Sequence, residues 1–540
     1  MMRTLGNALL SCAVFLAASV SSASKGPSQL ELNTAAESSD WMLPNQSYAG
    51  QRFVDLKQIH RGNASQLRPA CIYSPGDTNR FASNPLVYRG VMYVTSGDTT
   101  VALNAATCEV RWRHDWKIKG KQAEYKTGTM VINPFKSRGM AIKDGKLVRA
   151  TSDSNLIALD IESGKLLWDK AIASAEKYEL VIMAPLIYED LVIAGIGISE
   201  FGVKGWLGAF RLSDGDSVWR FNTVPDDGEQ GVETWGNAKD RQRGGGGVWV
   251  TPTLDAESGL LYVAVGNPVP VFFGDTRQGE NLYTAAMIVL DAKTGKLQWH
   301  KQIVPHDLHD WDLTVTGPLY PMKNGSAMRQ VIAVGGKDGF LRAVDRNSRE
   351  QIFATAVTSI QNADVVPTVA GIYACPGVLG GMQWSLPAYN PQMNLLIAPA
   401  VDWCGQYKKA DELRYVSGQL YMGGAYTYDP VEKSRGWLTA IDAASGVVKW
   451  KYESKRPMLA AVTTTSSDLV FTAELTGYFL VLDGKSGNVL YRFNLGAPAH
   501  AGVISYAVEG KQYVAVATGA AAGFWRVPPA SSTVVVFSLP

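Results

Sequence analysis

Cysteine and histidine are scarce in this chain, with five and six copies among 540 residues. Neither CxxC nor CxxCH occurs, so neither a zinc knuckle nor a covalently attached haem is supported. Charge of one sign is also lacking. The formal net charge is +2, so no strong field draws the chain to nucleic acid or to an anionic membrane. Beyond the N-terminal segment no apolar run approaches the roughly 20 residues that a spanning helix needs. Helical periodicity is nearly absent. What the chain has instead is glycine, 53 residues, and tryptophan, 15. With 46% hydrophobic and 19% charged residues this composition is that of a globular protein built from many short strands and tight turns.

The first residues carry a targeting pattern. Arg3 precedes a mostly apolar stretch from Leu9 to Val20, and Ser21-Ser22-Ala23 supplies small residues for cleavage. Residues 1–23 are therefore expected to be a secretory signal peptide, leaving 24–540 as one domain. Cys12 is followed by further apolar residues and is not read as a lipoprotein site. The mature chain then holds Cys71, Cys108, Cys375 and Cys404. An even number in an exported chain implies two disulfides, and the count leaves their pairing open.

One pattern recurs along the chain: a small or apolar residue, an apolar residue, Asp or Asn, a short turn with Gly, then an aromatic. Its copies are Ala102 to Trp112, Ala158 to Trp168, Ala209 to Trp219, Val289 to Trp299, Ala343 to Phe353, Ala440 to Trp450 and Val481 to Tyr491, all of one length. The first and fifth copies lack the glycine, and the third lacks the Asp or Asn. The pattern reads as a hairpin. A strand ends at a side chain that can cap the turn, Gly supplies a positive φ, and a second strand carries the aromatic. A further strand pair upstream of most copies makes four strands per unit, which is a propeller blade. The expected fold is all-β, an eight-bladed β-propeller, with Thr533 to Phe537 pairing with the N-terminal part to close the ring. The longest gaps, Trp219 to Val289 and Phe353 to Ala440, are expected to be long loops on a blade face, where function sits.

Several stretches resemble the pyrroloquinoline quinone (PQQ) dependent alcohol dehydrogenases, over nearly all of the chain from about Trp41. These are Val54 to Ile59, Glu200 to Gly205, Gly244 to Trp249, Val265 to Pro268 and Pro305 to Asp312. The resemblance implies Glu200, Asn267, Asp310 and Asp312 as ligands of a hard cation, calcium or a lanthanide, since such ions take oxygen donors. It implies Asp310 as the base that takes the alcohol proton. Trp249 would floor the flat cofactor, with Arg138, Ser199 and Lys337 also against it. Asp312 falls where lanthanide-dependent members carry an extra carboxylate. The resemblance further implies a Cys375–Cys404 disulfide, which leaves Cys71 with Cys108. His306 and His309, three apart with no third histidine nearby, are read as hydrogen-bonding residues. The implied function is a periplasmic dehydrogenase of a primary, secondary or sugar alcohol. A separate cytochrome c would accept the electrons, since CxxCH is missing.

The chain departs from the family pattern. Ala82, Ile182 and Gly247 stand where a glutamate and two threonines contact the quinone, Met458 and Leu459 replace a tryptophan region, and the adjacent cysteine pair over the quinone is missing. Each lost contact to a charged group is worth about 1.5–3 kcal/mol. Two other readings therefore stand beside the dehydrogenase: a cofactor-free binding or assembly scaffold, and a hydrolase on the same fold using Asp310 as acid or base.

Overall fold

The computed structural model describes residues 25–76, 81–127, 130–132, 135–324 and 327–540. The proposed signal peptide lies outside them. Among the described residues the strands assemble into eight antiparallel four-stranded units. Six of these run Leu86 to Asp115, Ala141 to Ala171, Leu186 to Asn222, Thr253 to Gln302, Leu313 to Ala356 and Ala388 to Ser454. The seventh, Thr463 to Asn494, is lengthened by the parallel strand Phe53–Val54. The eighth combines Val503–Val508, Lys511–Thr518 and Thr533–Ser538 with the N-terminal strand Arg68–Tyr73. Thr533–Ser538 thus pairs with the N-terminal part, as expected, with Ile72 opposite Val535. Helix is confined to short pieces such as Gln29–Asn33 and Ala238–Arg241.

The repeated eleven-residue pattern explains how neighbouring sheets dock. In the six hairpins that carry it, the Asp or Asn caps its own turn. The Asp291 carboxylate accepts from the backbone N–H of Lys293 and Thr294 at 3.1 and 2.8 Å, and Asp483 does the same for Lys485 and Ser486 at 3.0 and 2.9 Å. The aromatic of one copy then reaches the turn of the next. The indole N–H groups of Trp112, Trp168, Trp219 and Trp450 donate to the carbonyls of Ile161, Leu212, Ala292 and Gly484 at 2.8–3.1 Å. Each acceptor directly follows the capping position. The turn glycine lies under the same ring. A Cβ on Gly295, whose φ is +69°, would stand 2.5 Å from the Trp219 ring. Glycine is therefore required twice, for the left-handed backbone and for the close approach. The two copies without glycine keep the conformation: Cys108 and Arg349 have φ of 61° and 65°. Cys108 is held there by its disulfide to Cys71, and Arg349 lays its guanidinium 5.4 Å from the Trp299 ring centre.

The last copy docks across the chain termini, where the Tyr491 hydroxyl donates to the Leu67 carbonyl at 2.7 Å. Both disulfides form with the expected partners, Cys71–Cys108 and Cys375–Cys404, with Cα separations of 5.7 and 4.5 Å. The two long gaps differ from the expectation in one respect. Besides the sheet strands Thr253–Asp255 and Leu260–Ala264, the first holds loops, two 3-10 turns and one short helix. The second is not loop alone: it carries a three-stranded sheet of Ile372–Ala374, Gly405–Lys409 and Gly424–Tyr428. Extended backbone placed over the body of the protein satisfies its own polar groups by pairing, which a bare loop of that length would not do.

Gly295→Ala is expected to cost more than Gly510→Ala. Both glycines have positive φ, but Gly510 meets nothing within 4 Å of an added Cβ. The control carries only the left-handed penalty of about 1–2 kcal/mol, while Gly295→Ala adds a clash with the docking tryptophan worth about 1–3 kcal/mol. Melting temperatures of the two variants check this; equal losses would remove the docking role from the ring.

Candidate cation and cofactor site

Three segments from different sheets converge. Glu200 sits in the single 3-10 turn Ser199–Phe201, between Ile198 and Gly202, both left-handed at φ 58° and 75°. The Ser199 hydroxyl accepts from the Gly247 N–H at 3.1 Å, tying that turn to the glycine run before Trp249. Asn267 follows the strand Leu260–Ala264. Its amide donates to the Pro268 carbonyl at 3.1 Å, and its buried Oδ1 has no partner. Gly266 lets the third segment in, since a Cβ there would stand 2.4 Å from the Asp312 carboxylate.

The third segment, Pro305 to Asp312, is shaped by Asp307. Its carboxylate accepts from the N–H groups of His309 and Trp311 at 3.0 and 2.9 Å. This bends the chain and leaves Asp310 left-handed at φ 65°, an uncommon state for a residue with a Cβ that the surroundings must hold. The His309 ring stacks on Trp311 at 4.3 Å and lies within hydrogen-bonding distance of the Val365 carbonyl at 3.0 Å, while His306 is 2.7 Å from the Gly279 carbonyl. Both histidines bond as expected. The fully buried Arg277 braces the loop from below, donating to the carbonyls of Pro270, Val271 and Asp307 and to Asn281 at 2.6–2.9 Å.

Glu200, Asp310 and Asp312 offer carboxylate oxygens that all lie within 4.8 Å of one another. Lys337 bridges two of them, 2.8 Å from Asp310 and 2.5 Å from Asp312. Asp312 is also held by the Trp249 indole and the Asn267 N–H, each at 3.1 Å. Burial raises the Glu200 carboxyl, helped by the Asp312 charge. Burial also raises Asp310 well above the usual carboxylate range; Lys337 opposes this, while Asp312 and Glu200 add to it. Burial disfavours the Lys337 charge, yet Asp310 and Asp312 outweigh that and hold its ammonium protonated. Three carboxylates against one ammonium leave an excess of buried negative charge, which is costly unless a cation joins it. With the unpartnered Oδ1 atoms of Asn267 and Asp310, the donor set fits a hard cation.

Beside the carboxylates the Trp249 ring faces Arg138. The guanidinium lies 4.9 Å from the Trp249 ring centre and 4.6 Å from that of Trp384. Arg138 is 6% exposed, and its Nε and Nη1 have no hydrogen-bond partner. Burial holds its pKa down to about 9. A buried guanidinium with idle donors calls for an anion. The neighbouring cavity, lined by Ala82, Asn84, Arg138, Thr251 and Trp384 among others, is about 20 Å³, room for a single water. The idle donors of Arg138 suit a flat anionic cofactor, which would need Arg138 to leave the indole face and turn them onto the anion.

The structure thus brings together all the residues singled out in the sequence: Arg138, Ser199, Glu200, Trp249, Asn267, Asp310, Asp312 and Lys337. Sequence reasoning gave no separate role to Asp307, Arg277, Trp384 or His500. Arg277 and Trp384 lie in the two long gaps, which was a coarse pointer. Nothing local marks His500.

Comparison with known proteins shows what the chain is similar to. A family model described as "Glucose/ethanol/alcohol dehydrogenase, beta-propeller domain" matches residues 41–370. A second, described as outer membrane protein assembly factor BamB, matches residues 434–533. The dehydrogenase subunit of the quinone alcohol dehydrogenase of Acetobacter aceti is 31% identical, over 89% of this chain and 71% of that one. The quinoprotein alcohol dehydrogenase PedH of Pseudomonas putida is 28% identical, over 87% and 84%. A solved europium-containing methanol dehydrogenase superposes with a TM-score of 0.85 at 25% identity, covering 94% of this chain and all of that one.

If the carboxylates are cation ligands, Glu200→Gln lowers Tb³⁺ affinity at least tenfold, a loss of about 1.4 kcal/mol. Terbium luminescence sensitised by neighbouring tryptophans reads it directly. An unchanged affinity would take Glu200 out of the ligand set.

Proposed function

Because the chain belongs to the PQQ-dependent alcohol dehydrogenase family of β-propellers, we propose that it oxidises a primary or secondary alcohol, or a sugar alcohol, at the site around Asp310. The observation that carries this reading is the convergence of Glu200, Asp310 and Asp312 within 4.8 Å beside the Trp249 ring. Bound PQQ supplies the two-electron redox chemistry, with the cation polarising its reactive carbonyl.

The chain's own residues do the rest. Glu200, Asn267, Asp310 and Asp312 would hold the cation. Trp249 would give the cofactor a flat apolar floor, with Ser199 fixing the turn beside it. Asp310 has one oxygen bonded to Lys337 and the other buried and unpartnered. That second oxygen, Oδ1, would accept the alcohol proton. Lys337 would keep the carboxylate oriented, and its charge would favour the ionised form against the effect of burial. The excess carboxylate charge, and the europium in the similar methanol dehydrogenase, support a trivalent lanthanide over calcium.

The finer assignments belong to the same reading. Residues 1–23 would direct export to the periplasm, and 24–540 would form one closed eight-bladed propeller. A separate cytochrome c would take the electrons, which the lack of CxxCH supports. Among the described residues no helix is long and apolar enough to cross a membrane. One observation favours a second reading, a propeller that acts as a scaffold without cofactor: Arg138 covers the Trp249 face.

Titration of the mature chain with PQQ plus Ca²⁺ or La³⁺ decides between them. The dehydrogenase reading expects a bound-quinone absorption band and a raised melting temperature; neither change with either ion would favour the scaffold. Asp310→Asn is expected to keep PQQ binding and lower dye-linked alcohol oxidation by about 10²–10⁴-fold. Asp312→Ala is expected to abolish the preference of La³⁺ over Ca²⁺ in the same assay, and an unchanged preference would sink its role in choosing the ion.

A further inference from the structure

One buried histidine has no place in the mechanism above. His500 is 3% exposed, and its Nδ1 is buried without a hydrogen-bond partner. Its ring meets Trp384 edge-on at 6.3 Å, and its backbone carbonyl accepts from the Trp384 indole at 3.1 Å. Trp384 is the indole that carries Arg138 on its face. Two residues on, the Gly502 N–H donates to the Ser83 carbonyl at 3.2 Å. His500 therefore lies near Ala82 to Asn84, where the family resemblance places a glutamate, and against the edge of Trp384.

We propose that His500 is an anion-binding residue that, together with Arg138, takes a carboxylate of the planar cofactor. The proposal rests on the dehydrogenase reading and adds a residue to it. The threonine hydroxyls that the family resemblance places at Ile182 and Gly247 are absent here, which leaves the cofactor's carboxylates short of donors. Arg138 and His500 supply donors beside those positions: both are buried, both have an idle nitrogen, and both border Trp384. An imidazole with its proton on Nδ1 donates one hydrogen bond at a fixed position. Neutrality suits this place, because burial and the charges of Lys136 and Arg138 hold His500 down to about 3. A neutral donor beside a buried guanidinium adds a hydrogen bond without a second desolvated charge.

The test compares wild type, His500→Leu and His500→Asn. Asn keeps an N–H donor near the Nδ1 position; Leu does not. PQQ is titrated in the presence of La³⁺, read by quenching of tryptophan fluorescence and by the melting temperature. Tb³⁺ affinity without PQQ serves as control. The expected result is at least a fivefold weaker PQQ affinity in His500→Leu and recovery to within threefold of wild type in His500→Asn, with Tb³⁺ affinity unchanged in both. If His500→Leu loses its cooperative melting transition, His500→Phe, which fills the same ring volume, takes its place. Wild type that binds PQQ, with a Leu or Phe variant that binds equally well, overturns this proposal and leaves the dehydrogenase reading standing. Wild type that does not bind PQQ overturns both.

Discussion

The seat of an aromatic ring on the turn of the next hairpin is the contact on which the rest of this structure depends. A single four-stranded sheet cannot bury its faces alone. Here Trp112, Trp168, Trp219 and Trp450 of the repeat each close one gap between sheets with an apolar face and one directed hydrogen bond. For Trp112, Trp219 and Trp450 the bond goes to the residue after the aspartate of the next turn. The turn is thereby tied to its neighbour as well as to itself. The positions that lack glycine hold their left-handed backbone by other means, a disulfide at Cys108 and a ring contact at Arg349. The conformation is the constraint, and glycine is its usual solution.

That rigid frame lets the site concentrate charge. Glu200 comes from one connection between strands and Asp310 and Asp312 from another, and the three would repel each other in a flexible chain. They are held in place by Lys337, by Asp307 shaping its own loop, and by Arg277 donating to three carbonyls beneath it. The left-handed Asp310 is part of the same arrangement: the loop points one carboxylate oxygen at Lys337 and leaves the other free for chemistry. The aromatic slot next to it is built on the same principle. Trp249 is aimed by Asp312, and Trp384 by the carbonyl of His500.

Much of this was legible in the sequence, and the reasons are local. A hairpin is specified by residues close in the chain, so the repeat gave the sheets and their turns. The family-like stretches gave Glu200, Trp249, Asn267 and Asp310 because each sits in a short segment whose backbone shape depends on its immediate neighbours, such as Gly202 and Gly266. Asp307 lay within a stretch that was read, but its role is to bond N–H groups two and four residues on, which residue type alone does not announce.

By itself the sequence determined an all-β repeat and the turn chemistry of its hairpins, which follow from residue types at short range, while the oxygen donors for a hard cation are what its resemblance to the family implies. Only the tertiary structure decided that Lys337 would bridge Asp310 and Asp312, that Arg138 would lie between Trp249 and Trp384, and that His500 would border the same slot. These residues are separated by up to several hundred positions, and their meeting is fixed by how the sheets stack. Contacts of that kind depend on distance in space and on burial, which raises the cost of an unpaired charge or donor, and neither quantity is written in the order of residues.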